Sequence, residues 1–152
     1  MRRFTSLAEI EAAVGEELGV SDWLEIDQQR IDAFAEATGD FQWIHVDAER
    51  AATGPFGATI AHGYLTLSLV PMLGSQVFTF DNPEPKLNYG VNKVRFTRPV
   101  TVGSRLRARV RIEEAATVRA GTQVLLGFTL EVEADPEPLT VCVAQTVVLL
   151  LG

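Results

Sequence analysis

The sequence has few of the residues that support disulfide, redox or metal chemistry. Its 152 residues include one cysteine, Cys142, and two histidines. A lone cysteine excludes an internal disulfide framework and fits a reducing compartment, so we expect a cytoplasmic protein. Cys142 alternates with Val141 and Val143, a pattern that predicts a small buried side chain in a strand.

Positive charge and long apolar runs are also scarce. The chain has 13 Lys and Arg against 20 Asp and Glu, a net charge of -7, which argues against a general binder of nucleic acid or anionic membranes. No apolar run follows Arg2 and Arg3, so we predict no signal peptide, and no stretch is long enough to span a bilayer. With 47% hydrophobic residues and no repeat, the sequence predicts one globular domain over residues 1–152.

The first half of the chain shows the periodicity of helices. Asp27 is a candidate N-cap for a helix that runs to Thr38, and Gly39 suits the residue that ends it. An almost wholly apolar segment, Ala61 to Val77, predicts a helix buried on most sides, which Pro71 should kink or break.

The second half alternates with the two-residue period of strands, after a loop at Asp81 to Pro85. The last strand is almost entirely apolar, which predicts burial on both faces in the middle of the sheet. Helices followed by hairpin-connected strands indicate an α+β domain, with a mainly antiparallel sheet laid on one buried helix. The predicted strands are Leu87 to Phe96, Ser104 to Glu113, Thr122 to Glu133 and Leu139 to Leu151.

Both histidines fall between residues 38 and 63, and this stretch is the best candidate for chemistry. Asp40 comes directly after the predicted helix end and five positions before His45. A carboxyl group at the negative end of a helix, beside Phe41 and Trp43 as desolvating neighbours, can pair with an imidazole for proton transfer. On spacing alone a structural interpretation is favoured, in which Asp40 forms a turn and His45 is a satisfied structural residue.

Gly63 opens the predicted buried helix. In the first turn its amide has no intrahelical acceptor, and the missing side chain allows another molecule to approach. Such a donor can stabilise a developing oxyanion. Close helix packing explains the glycine equally well.

Eight basic residues and no acidic ones lie between Lys86 and Arg111. They could form an anion-binding edge or a solvated outer strand face. For the four alternating arginines from Arg105 to Arg111 we favour the outer face. Lys93 and Arg95 are better candidates to bind an anionic ligand, because they follow a polar cluster that includes Asn88. A metal site made of the two histidines with Asp40 and Asp47 is disfavoured, because the spacing matches no common ligand pattern.

In this order, Thr38-Gly39-Asp40, His45, Ile60-Ala61-His62-Gly63 and a following strand from Asn88 to Phe96 resemble the MaoC-like, R-specific enoyl-CoA hydratases. The resemblance covers nearly the whole chain and is strongest to the branch that resembles nodulation protein N. It implies a hot-dog fold, in which a long helix is wrapped by a five-stranded antiparallel sheet, and pairing into a homodimer.

The resemblance also implies roles for individual residues. Asp40 and His45 match the catalytic pair, which activates water for addition across a trans-2-enoyl thioester, and Gly63 matches the oxyanion-stabilising glycine. The implied substrate is an acyl-CoA or acyl-carrier thioester, and no metal or redox cofactor is implied. We further expect the substrate to be bound by Gln42, His62, Asn88, Lys93 and Arg95.

One departure from the family stands inside the motif. Many members have Asn and Pro between the catalytic Asp and His, where this chain has Gln42 and Trp43. Two other functions therefore stay open: a hot-dog thioesterase that hydrolyses acyl-CoA, and a non-catalytic module that binds acyl-CoA.

Overall fold

A computed structural model describes residues 1–81 and 85–152, so residues 82–84 of the predicted loop Asp81–Pro85 lie outside the described residues. The described helices are α1 (Leu7–Ala12), α2 (Gln28–Thr38), α3 (Trp43–Val46), α4 (Ala48–Ala52), α5 (Gly63–Ser68) and α6 (Val70–Ser75). The described strands are β1 (Arg2–Phe4), β2 (Glu17–Val20), β3 (Leu24–Glu25), β4 (Phe78–Phe80), β5 (Lys86–Phe96), β6 (Arg105–Val118), β7 (Gly121–Val132) and β8 (Leu139–Leu151).

The main sheet is antiparallel and follows the order β2-β6-β7-β8-β5, with the short strand β3 also paired to β6. The predicted antiparallel sheet is thus confirmed, and β3 adds a sixth strand to the five. Strand β8 lies between two others as predicted, but Val143 is exposed, so its second face is only partly covered. Strands β1 and β4 form a separate parallel pair.

Helix α2 begins and ends where its capping residues predict. The Asp27 side chain accepts a hydrogen bond from the Arg30 amide at 2.8 Å, which satisfies one of the free donors of the first turn. Gly39 ends the helix with φ of +79°, a left-handed conformation that glycine adopts without strain. The chain therefore turns sharply just before Asp40.

The predicted long helix is broken into α5 and α6. Leu69 separates them, and Pro71 in the first turn of α6 has no N–H to donate to the preceding turn. Leu65 and Leu73 are buried in the same apolar cluster as the inner face of the sheet, so both pieces pack on the core. In the described part of the chain, no helix is long and apolar enough to cross a membrane.

Gln28 joins α2 to two other segments of the chain. Its side-chain Nε2 donates to the main-chain carbonyl of His45 at 2.8 Å, and its Oε1 accepts from the Thr59 hydroxyl at 2.5 Å. Thr59 is almost completely buried. Loss of the Gln28 amide would leave buried polar groups without partners, which is more costly than losing an exposed hydrogen bond.

We expect Gln28→Ala to lower the free energy of unfolding by about 1–3 kcal/mol, measured by urea denaturation. Gln29→Ala is the matched control, because Gln29 is the adjacent residue of the same helix and is exposed. Equal losses in the two variants would contradict a bridging role for Gln28.

Cys142 is completely buried within β8, and burial raises the pKa of its thiol to about 11. The reactive thiolate is therefore scarce at pH 8, and reagents have no access to the sulfur. We expect Ellman's reagent to label the folded protein far more slowly than the urea-unfolded protein at pH 8. Similar rates in the two states would show that β8 is open to solvent at this position.

Candidate active site

Asp40 and the residues after it form a tight turn that leads into α3. The Gln42 amide donates to Asp40 Oδ1 at 3.3 Å, and the His45 amide donates to the Gln42 carbonyl at 2.9 Å. Asp40 thus makes the turn that the structural interpretation predicted. The expected desolvation by its aromatic neighbours is wrong, because the side chains of Asp40 and Phe41 are both exposed.

The position of His45 depends on the main chain of Ile60. The Ile60 amide donates to the Ile44 carbonyl at 3.0 Å, and His45 Nδ1 lies 2.7 Å from the Ile60 carbonyl oxygen. A carbonyl oxygen only accepts, so Nδ1 carries the proton and Nε2 keeps its lone pair. His45 is 6% exposed, and its free nitrogen is therefore suited to act as a base.

The second histidine lies directly against the first. The rings of His45 and His62 are stacked, with centroids 3.8 Å apart and planes 24° from parallel. His62 Nε2 lies 2.9 Å from the main-chain carbonyl oxygen of Asp40. Folding thus brings Asp40, His45 and His62 together, with one polar side-chain atom of each within 4.8 Å of the others.

These three side chains have a composition that could hold a metal ion. The geometry disfavours it, because the lone pair of an imidazole nitrogen lies in the ring plane. The planes of the two rings are 24° from parallel and the ring centroids lie 3.8 Å apart, so one ion close to both rings cannot lie in both ring planes. We therefore interpret the cluster as an acid–base site.

A cavity of about 280 Å³ opens beside His45. Gly63, the first residue of α5, lies on its wall, and its amide has no intrahelical acceptor. A side chain at Gly63 would place its first carbon 2.9 Å from the Phe96 ring, so this wall has room only for glycine. The other lining residues are Ile60, Ala61, Thr66, Thr97, Arg98, Pro99, Val100 and Val141.

The predicted substrate-binding residues do not converge on this cavity. Gln42 lies beside Asp40, and His62 is buried outside the lining. Asn88 lines a separate apolar cavity of about 350 Å³ between α6 and β5, and Lys93 lines one of about 250 Å³ on the sheet. Arg95 is exposed and donates to the Val94 carbonyl at 2.7 Å. Their roles as substrate contacts stay predictions.

The sequence interpretation missed Arg98 and Thr66. Arg98 is the basic residue that lines the His45 cavity, and Thr66 is a buried hydroxyl one turn into α5. Arg98 stands next to Pro99 just past the end of β5, and ligands commonly bind where strands end and loops begin. This position, just after a predicted strand, was the signal in the sequence that could have identified Arg98.

Three of the four alternating arginines of β6 form ion pairs with acidic residues on or next to neighbouring strands, and Arg111 donates to the Gly15 carbonyl. Arg105 pairs with Glu133 at 2.9 Å and Arg107 with Glu131 at 2.6 Å. Arg109 pairs with Glu17 at 2.7 Å. Their charge is thus largely compensated, which supports the outer-face interpretation over an anion-binding edge.

Trp43, which departs from the family pattern, is held by its neighbours. The Arg50 guanidinium lies over the indole, 4.2 Å from the ring centroid. Gly54 leaves space on another side, since a side chain there would place its first carbon 3.1 Å from the ring. Trp43 is the first residue of α3, so these contacts support the helix that carries His45.

Comparison with known proteins finds a matching family and several similar proteins. Residues 9–134 match the protein family described as MaoC like domain. The chain is 50% identical over 149 residues to 3-hydroxyacyl-thioester dehydratase Z of Mycobacterium tuberculosis, covering 97% of each protein. It is 44% identical over 134 residues to Nodulation protein N of Rhizobium leguminosarum bv. viciae, covering 87% of this chain and 83% of that protein.

Among solved structures, the R-hydratase PhaJ1 from Pseudomonas aeruginosa superposes with a TM-score of 0.75 at 26% identity, covering 95% of this chain and 84% of that one. The fold expected from the sequence, a hot-dog domain with an antiparallel sheet, is thereby confirmed. Asp40, His45 and Gly63 lie within the matched range. The chain belongs to the MaoC-like dehydratase family.

Proposed function

We propose that this protein is an (R)-specific enoyl-thioester hydratase, which in reverse dehydrates 3-hydroxyacyl thioesters. The observation that carries this proposal is the cavity that His45 and the Gly63 amide share, with Asp40 close to His45. A base and an oxyanion donor on one cavity are the groups that addition of water to an unsaturated thioester requires. The names of the similar proteins, a 3-hydroxyacyl-thioester dehydratase and an R-hydratase, support the same reaction.

In this mechanism His45 and Asp40 hold the attacking water. The lone pair on His45 Nε2 accepts a water proton, since Nδ1 is committed to the Ile60 carbonyl. The exposed Asp40 carboxylate accepts the second hydrogen bond of the water and orients it. The hydroxyl group adds to C3 of the trans-2-enoyl thioester, and the proton is delivered to C2 on the same face.

Gly63 supplies the other half of the site. As C3 is attacked, negative charge develops on the thioester oxygen, and the Gly63 amide at the positive end of α5 donates a hydrogen bond to it. A side chain at this position would collide with the Phe96 ring on the cavity wall, so glycine keeps this wall and the amide in their observed arrangement. The charge disappears when C2 is protonated, and every proton is returned to product.

We assign the two ends of a thioester substrate to two cavities. The cavity between α6 and β5 is lined mostly by apolar residues such as Val70, Phe78 and Val91, which suit an acyl chain. Arg98, on the wall of the His45 cavity, is placed to contact the anionic handle of CoA or of an acyl carrier. We therefore transfer the anion contact expected of Lys93 and Arg95 to Arg98.

We also propose that the enzyme works in the cytoplasm. Its only cysteine is a free, buried thiol, which fits a reducing compartment.

We expect Asp40→Asn and His45→Ala each to lower kcat for crotonyl-CoA hydration by roughly 10²-fold to 10⁴-fold, because each removes part of the acid–base apparatus. Loss of the conjugated double bond is followed by absorbance, and chiral analysis of the product should give the R enantiomer. Glu36→Gln is the matched control, since it removes an exposed carboxylate from the neighbouring helix.

Near-full activity in either folded variant would overturn the assignment of Asp40 or His45. Thiol release from saturated acyl-CoA, without hydration of crotonyl-CoA, would instead identify a thioesterase. Binding of enoyl-CoA without turnover across pH would identify a binding module.

Strand β5 supports a homodimer. It is an edge strand of 11 residues with exposed apolar side chains, among them Leu87, Tyr89 and Val91. An open edge of this kind readily pairs with another strand, and a two-fold pairing joins the same surface of two copies. In an antiparallel pairing of two β5 strands centred on Val91, Lys93 of one copy would lie beside Tyr89 of the other copy. The Lys93 side chains of the two copies would therefore not face each other.

We expect light scattering after size exclusion to show a dimer for the wild type, and Val91→Asp to shift the protein toward the monomer. Val20→Asp is the control, because Val20 lies on β2 at the opposite edge of the sheet. A monomeric wild type, or a dimer lost only through Val20→Asp, would contradict pairing through β5.

A further inference from the structure

The surroundings of His62 favour a role other than the substrate contact expected from the sequence. Its side chain is 2% exposed and does not line the cavity shared by His45 and Gly63. Its ring lies against His45 on one side, and the Phe34 ring is 5.0 Å away, centroid to centroid. A ligand in the cavity therefore meets His45 and Gly63, while His62 stands behind them.

The two imidazoles carry their protons on opposite nitrogens. His45 is protonated at Nδ1, because this atom faces the Ile60 carbonyl. His62 is protonated at Nε2, because this atom faces the Asp40 carbonyl at 2.9 Å. His62 Nδ1 is buried without a hydrogen-bond partner among the residues that the structure describes. The His62 ring thus forms its hydrogen bond with the main-chain carbonyl of Asp40.

This hydrogen bond joins Asp40 to a distant part of the chain. The carboxylate of Asp40 has a local contact with the Gln42 amide, which does not fix where the turn lies relative to α5. His62 stands directly before Gly63, the first residue of α5. The bond from its ring therefore ties the catalytic turn to the residue that precedes the oxyanion donor.

On the basis of the hydratase function proposed above, we propose that His62 is a positioning residue that sets Asp40 and His45 in their reactive arrangement. Its N–H holds the main chain of Asp40, and its ring face supports the ring of His45. Small displacements of reacting groups can cost roughly 10²-fold in rate, so this contact should affect turnover more than binding.

The tautomers can be tested without any measurement of activity. The chain contains two histidines, so a long-range proton–nitrogen correlation spectrum of the ¹⁵N-labelled protein should contain two ring patterns. The pattern that disappears in His62→Gln belongs to His62. We expect that pattern to be of the Nε2–H tautomer and the other to be of the Nδ1–H tautomer. An Nδ1–H tautomer for His62 would overturn the proposal.

Two substitutions separate the hydrogen bond from the packing. His62→Gln can place an amide N–H near the position of Nε2, whereas His62→Phe keeps an aromatic ring against His45 and Phe34 but has no donor. We expect His62→Phe to lower kcat for crotonyl-CoA by roughly 10-fold to 10²-fold with little change in KM, and His62→Gln to recover most of the loss. Circular dichroism and thermal unfolding confirm that each variant is folded.

Three kinetic results would contradict the proposal: wild-type kcat in His62→Phe, lower kcat in His62→Gln than in His62→Phe, or a raised KM with kcat unchanged. An inactive wild type with the expected pair of tautomers would defeat the hydratase function and leave the hydrogen-bonded arrangement of His62 standing. An active wild type with the wrong His62 tautomer would defeat the positioning role alone.

Discussion

The candidate site depends on one peptide segment, Thr59 to His62, whose polar groups are bound by several parts of the chain. Both main-chain groups of Ile60 bind the turn that carries His45, one through the Ile44 carbonyl and one through the His45 ring. The Ala61 amide donates to the Val100 carbonyl at 2.8 Å, and the Thr59 carbonyl accepts from the Val102 amide at 2.9 Å. The catalytic turn is therefore anchored on a segment that is itself anchored on the chain between β5 and β6.

This arrangement links the two halves of the chemistry. The same segment leads directly into α5, so the Ile60 carbonyl that holds the His45 ring lies three residues before Gly63, the proposed oxyanion donor. Displacing one of them would displace the other. Rigid elements that hold reacting groups in register reduce the reorganisation that the reaction would otherwise need. Gln28 extends the same support to α2 through Thr59.

Local signals in the sequence were sufficient for the elements whose causes are local. Asp27 and Gly39 define α2 because a cap and a left-handed glycine act on adjacent peptide groups. Pro71 likewise breaks the long helix by removing one donor. The alternation of β6 was readable, but its ion pairs were not, because they depend on the exact register with β7 and on Glu17, which comes from a strand far earlier in the chain.

The substrate-contact predictions on β5 failed to converge for a related reason. The sequence groups Asn88, Lys93 and Arg95 by their closeness along one predicted strand, yet the pairing of β5 with β8 shifts register between Asn88 and Gly90 and again between Val91 and Lys93. Each shift changes which side chains share a face. The positions of Asp40, His45 and Gly63 depend less on strand register, because they are set by a helix end, a short turn and a helix start. The stacking of His45 on His62 could not be read from a spacing of 17 residues.

The replacement of Asn and Pro by Gln42 and Trp43 shows how tertiary contacts can take over a local constraint. Proline is favoured at the first position of a helix because its φ is already fixed. Trp43 occupies that position in α3 without this restriction, and Gln42 makes no side-chain cap. The indole is instead confined by the Arg50 guanidinium and by the space at Gly54. The helix that carries His45 is therefore supported by side-chain contacts of Trp43 as well as by the main chain of Ile60.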